Sequence, residues 1–161
     1  MKPRVYLETS VISYLTARPS RDLIAAAHQS LTAEWWDRRR TDFELVISEI
    51  VLHEAGKGDP AAARRRLDIL RDLPMLRATE TSKRVAETIM VDARLPATAF
   101  PDALHIAIAA DHGVEFLLTW NCRHIANAEI LPTVARICRR FQLETPAICT
   151  PEELLGGAHV N

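Results

Sequence analysis

Residues 100–110 read Phe-Pro-Asp-Ala-Leu-His-Ile-Ala-Ile-Ala-Ala, a helix with almost no polar face. Pro101 suits the first helical position, and Gly113 stands just past the end. At about 100° per residue, Leu104, Ala107, Ile108 and Ala110 spread apolar surface round most of the cylinder. A helix this apolar is normally buried, so the chain has to build a core around it. Yet Asp102 occupies its first turn and shares a face with His105, Ile106 and Ala109. An unpaired buried carboxylate costs several kcal/mol, on the order of its desolvation. Asp102 therefore either caps the helix or lines a pocket and faces a cation.

The rest of the chain alternates short apolar runs with helical patterns. Arg4–Leu7 reads as a buried strand, after which Thr9 or Ser10 caps a helix over 11–16. A second helix runs over 20–40 and carries Trp35 and Trp36, which read as core packing rather than a base-stacking platform. Residues 43–47 form a second strand, with Ser48 capping a helix over 48–55, and a basic helix covers 61–73. A short strand at 76–78 and a helix over 81–93 lead to the apolar helix. The clearest strand is 114–119, followed by a helix over 132–141 and a last strand at Ala147–Cys149. Thr150 caps a closing turn with Pro151 at its first position. Strands alternating with helices predict an α/β fold: a three-layer α/β/α arrangement with a mostly parallel central sheet, as one domain over residues 1–161.

A net charge of −1 gives no global attraction to polyanions, so any nucleic-acid binding rests on local patches. Arginine clusters stand at Arg38–Arg40, Arg64–Arg66 and around Arg136, Arg139 and Arg140, where solvated helix faces are the plainer explanation. Cys122, Cys138 and Cys149 form no Cys-x-x-Cys pair, which fits reduced thiols in the cytoplasm. Glu8 interrupts the first apolar run too early for a signal peptide, and no run of about eighteen apolar residues suggests a membrane span. P-loop, dinucleotide-turn and Gly-x-Ser-x-Gly patterns do not occur.

In an open parallel sheet the binding crevice lies beyond the carboxyl ends of the strands, where strand order reverses. Glu8, Thr9 and Ser10 end the first strand, and Thr119, Trp120 and Asn121 follow a later one. Asp102 begins the apolar helix. With Ile50 set at 0°, Ile47 lies near about 60°, Val51 near 100° and Glu54 near 40°, so Glu54 sits inside an apolar stripe. Crowded carboxylates raise one another's pKa unless a cation sits among them. Oxygen ligands without a His or Cys pair favour Mg²⁺ or Mn²⁺ over zinc. His105 reads as packing or as a partner of the Asp102 carboxylate, and Cys122-Arg123-His124 as local structure.

Taken together these pieces resemble the PIN-domain nucleases, and more closely the VapC-like toxin ribonucleases of bacterial toxin–antitoxin pairs. The resemblance is carried by Val5-Tyr6-Leu7-Glu8-Thr9-Ser10, by residues 47–54 ending in Glu54, by Asp102-Ala103-Leu104-His105-Ile106-Ala107, and by Leu117-Leu118-Thr119-Trp120-Asn121. It implies metal-dependent hydrolysis of RNA phosphodiesters, with Glu8, Glu54 and Asp102 holding Mg²⁺ or Mn²⁺ and Asn121 at the position of a fourth acid. Thr9, Ser10 and Thr119 would support ligands or substrate, and Arg clusters near the rim would hold the RNA backbone. A small antitoxin and a homodimer are the implied protein partners. Two departures stand out: Glu8 is longer than the family's usual Asp, and Asn121 is neutral, which favours one metal over two. The alternatives are a catalytically silent PIN-like module that binds RNA or protein and, more remotely, a phosphotransfer domain.

Overall fold

The computed structural model describes residues 1–156, and residues 157–161 of the expected domain lie outside the described residues. Five strands form one sheet: β1 (Arg4–Leu7), β2 (Glu44–Ser48), β3 (Met75–Leu76), β4 (Phe116–Leu118) and β5 (Ala147–Cys149). Their order is β3-β2-β1-β4-β5 and every pairing is parallel. Strand order thus reverses between β1 and β4, where Val5, Tyr6 and Leu7 stand opposite Phe116, Leu117 and Leu118. That reversal opens a crevice just past Leu7 and Leu118.

Among the described residues seven α-helices connect the strands: α1 (Thr9–Thr16), α2 (Leu23–Arg38), α3 (Glu49–Ala55), α4 (Pro60–Leu70), α5 (Glu80–Asp92), α6 (Phe100–Asp111) and α7 (Leu131–Arg140). Helices α2, α3 and α4 pack on α1, while α6 and α7 pack on α5, giving the sheet a helical layer on each face. The apolar helix is α6, and everything from Ala103 to Ala110 except Leu104 is buried, His105 included. Gly113, at φ +60°, ends it in the left-handed conformation that glycine adopts without steric cost. Trp35 is fully buried and stacks on Phe43, whereas Trp36 lies under the Arg40 guanidinium. No helix among the described residues is long and apolar enough to cross a membrane.

Several caps differ from the sequence expectation. Glu8, not Thr9 or Ser10, caps α1, because its carboxylate accepts the Ser10 amide at 3.1 Å. Asp22 rather than Ser20 caps α2. Ser48 precedes α3 without capping it; its hydroxyl bonds Tyr6 instead.

The arginine runs are largely spoken for. Arg65 donates to the Thr16 carbonyl at the end of α1, and Arg66 to the Ala55 and Lys57 carbonyls at the end of α3. Arg38 pairs with Glu34, Arg39 with Asp42, and Arg136 and Arg140 with Asp92. The Arg65 and Arg66 contacts fasten helix ends, since they satisfy carbonyls left open by the α-helical ladder.

Candidate functional site

The crevice at the β1/β4 reversal is walled by Glu8, one residue past β1, and by Thr119, one residue past β4. Glu8 is only 5% exposed and spends a single oxygen on the protein. Its Oε2 accepts the Ser10 amide and hydroxyl, and the Thr119 hydroxyl at 2.8 Å. Ser10 in turn accepts the Trp120 amide at 2.8 Å, and the Glu8 amide donates to the Leu118 carbonyl at 3.0 Å. These bonds stitch the two strand ends together around one carboxylate.

Glu54 reaches the same place from α3. Its Oε1 accepts the Thr9 hydroxyl at 2.7 Å and His105 Nε2 at 2.6 Å. His105 is fully buried, and its Nδ1 lies 2.6 Å from the Tyr6 hydroxyl, which lies 2.6 Å from Ser48 Oγ. An ionised carboxylate only accepts, so Nε2–H donates to Glu54, and the chain runs on from Nδ1 through the Tyr6 hydroxyl to Ser48. Burial, together with the nearby Glu8 and Glu54 charges, pushes the Tyr6 phenol up against a smaller opposing effect of Ser48, so it keeps its proton. For Glu54, burial favours the neutral form, but the His105 hydrogen bond and charge and the Thr9 hydroxyl outweigh it. Its carboxyl falls below the ordinary range.

One potential ligand atom from each of Glu8, Glu54 and His105 lies within 4.8 Å of the other two, forming an acidic cup. Asp102 sits one turn before His105 on α6, outside that group of three, and its Oδ2 meets His124 Nδ1 at 3.0 Å. A common pattern emerges. Glu8, Glu54 and Asp102 each give one oxygen to internal donors, and among the described residues no donor reaches the other oxygen. No Lys or Arg among the described residues forms an ion pair with any of the three. Such a donor set fits a hard divalent cation. His105, with Nε2–H turned to Glu54, orients a carboxylate rather than adding nitrogen to the set.

Three residues sit differently from the sequence expectation. His105 partners Glu54, not Asp102, whose Oδ2 meets His124 instead. Asn121 does not turn its amide oxygen to the cup; Oδ1 accepts the Arg123 amide at 3.2 Å and the His124 amide at 3.0 Å. Its own amide donates to Thr119 Oγ1 at 2.9 Å, so it shapes the loop after β4. His124, read as local structure, comes to the Asp102 carboxylate. Tyr6 and Ser48 were not singled out as site residues at all. A tyrosine inside an otherwise aliphatic central strand needs a buried partner for its hydroxyl, and that was the available signal.

Comparison with known proteins bears on the family and the fold. The PIN domain family matches residues 5–131. No curated protein matches the sequence. Among solved structures, FitAcB from Neisseria gonorrhoeae is similar at 18% identity and a TM-score of 0.59, covering 93% of this chain and 99% of that one. VapBC2 from Rickettsia felis, bound to a promoter DNA fragment, is similar at 15% identity and a TM-score of 0.57, covering 91% and 98%. VapC20 from Mycobacterium tuberculosis, described as a sarcin–ricin loop cleaving toxin, matches at 18% identity and a TM-score of 0.57, covering 74% and 92%. With most of its 161 residues, the whole β1/β4 crevice among them, inside the family match, this chain belongs to the PIN-domain family.

Proposed function

We propose that the protein is a metal-dependent endoribonuclease that hydrolyses RNA phosphodiester bonds and acts in the cytoplasm as the toxin of a toxin–antitoxin pair. The observation that carries this reading is the convergence of Glu8 and Glu54, with Asp102 one helical turn from His105, each keeping an oxygen unengaged and none paired with Lys or Arg. Glu8, Glu54 and Asp102 would hold Mg²⁺ or Mn²⁺. When bound, such an ion lowers the pKa of a water and neutralises charge that develops on phosphoryl oxygens. The chain's own residues then have defined tasks. Thr9, Ser10 and Thr119 keep one oxygen of each glutamate occupied, which leaves the other without an internal donor. His105 keeps Glu54 ionised and oriented.

RNA as substrate is supported by VapC20, a fold relative described as cleaving the sarcin–ricin loop, and an antitoxin partner by the VapBC2 and FitAB complexes. A homodimer completes the reading. Cleavage of a mixed RNA pool with Mg²⁺, Mn²⁺ or EDTA tests it: wild type cuts with either metal and not with EDTA, and Asp102→Asn is at least about 100-fold slower. Equal behaviour of wild type and Asp102→Asn with metal present contradicts it. The neutral Asn121, with its oxygen committed to a turn, favours one other reading, a silent module that binds RNA or protein. RNA binding without metal-dependent cleavage supports that reading instead.

A further inference from the structure

We propose that His124, not Asn121, supplies what the resembled family obtains from a fourth acid's position: it is a positioning residue for Asp102, and it leaves the cup with room for one divalent cation per chain. This inference rests on the metal-dependent reading given under Proposed function.

The loop after β4 is built to deliver this ring. Asn121 Oδ1 gathers the Arg123 and His124 amides, an Asx-type turn that fixes the chain direction entering His124. The Asn121 carbonyl accepts the Ala126 amide at 2.8 Å and the Ile125 amide at 3.2 Å, while Asn127 Nδ2 donates to the Arg123 carbonyl at 2.8 Å. The loop is therefore pinned from both ends, and Ile125 anchors it in the core. At its crest the His124 ring meets Asp102 at 3.0 Å, with both side chains 19% exposed.

A carboxylate accepts, so Nδ1–H donates to Oδ2, and the other oxygen of Asp102 is left without an internal donor among the described residues. Bonds of this kind set the orientation of a metal-binding carboxylate, and their loss typically weakens metal affinity about 10–100-fold. The same geometry removes the means of holding a second ion. Asn121 has no charge and no unengaged oxygen, and the Asp102 oxygen on the loop side is taken by His124.

The test is a calorimetric titration with Mn²⁺ alone, run on wild type, His124→Leu and His124→Asn, with the melting temperature of each recorded. Leu and Asn share the same branching at Cγ, but Asn carries an N–H near the position of Nδ1. Wild type is expected to bind one Mn²⁺ per chain, His124→Leu about 10–100-fold more weakly, and His124→Asn to recover most of the loss at a similar melting temperature. A role confined to fastening the loop predicts lower melting temperatures with unchanged Mn²⁺ affinity, and that outcome overturns the proposal. Two Mn²⁺ per wild-type chain overturns it as well. A wild type that binds no Mn²⁺ contradicts the metal-dependent reading itself, which separates that failure from this one.

Discussion

His105 and His124 both hold a carboxylate, yet they are embedded very differently. His105 lies fully buried in α6, with one nitrogen on Glu54 and the other on Tyr6, which continues to Ser48. Its partners come from α3, β1 and the end of β2, so the bond network is also part of the sheet-to-helix packing. His124 stands on a loop, touches Asp102 through one nitrogen, and is shaped by a turn a few residues away. The first histidine therefore couples stability to the site, whereas the second bears on the site with little bearing on the core. A buried polar group must be satisfied or the core suffers, and a partly exposed one has some access to water as a substitute.

The largest expected effect tests that contrast directly. His105→Leu strands the Tyr6 hydroxyl and removes the strongest donor to Glu54, a loss of about 2–4 kcal/mol. For a chain of this size that is a melting temperature lower by roughly 5–15 °C by calorimetry, accompanied by loss of RNA cleavage. His124→Leu should stay within about 3 °C of wild type. Equal shifts for the two variants would break the comparison.

Tyr6→Phe comes next. It deletes one hydroxyl and leaves His105 Nδ1 and Ser48 Oγ without their partner, at a cost of about 1–3 kcal/mol in denaturant unfolding. A neutral result would mean that the relay behind Glu54 adds nothing to the fold.

The smallest effect is on pH dependence. The folded Glu54 carboxyl lies below its ordinary range, so its contribution to stability is fully present above the unfolded value, about 4.3, and is lost as pH falls through the folded value. With metal chelated, the melting temperature of Glu54→Gln should fall less steeply than that of wild type below about pH 4.3. Parallel curves would show that Glu54 is not held in its charged form by His105 and Thr9.

How much of this was legible in the sequence follows from the reach of each interaction. The parallel sheet and its helices were readable because apolar runs and helical periodicity are local signals. Glu54 stood out as a carboxylate within an apolar stripe, and Asp102 as one at the head of a buried helix. What fills the space between them was not readable. The His105–Glu54 bond joins residues 51 apart in sequence, and His124–Asp102 joins residues 22 apart. Neither spacing falls on one helix face. The caps failed for a related reason: a serine before a helix predicts a cap, but Ser48 has a better partner in Tyr6 across the sheet, and Glu8 satisfies the start of α1 from its carboxylate.

The central claim is that Glu8, Glu54 and Asp102 surround a single divalent ion. Anomalous diffraction from crystals soaked in Mn²⁺ tests it most directly. The account predicts one peak in the crevice past Leu7 and Leu118, about 2.0–2.3 Å from oxygens of Glu8 and Glu54, with Asp102 facing it directly or through a water. An empty crevice at saturating Mn²⁺, or a peak held elsewhere while the three carboxylates keep to their internal partners, would contradict it.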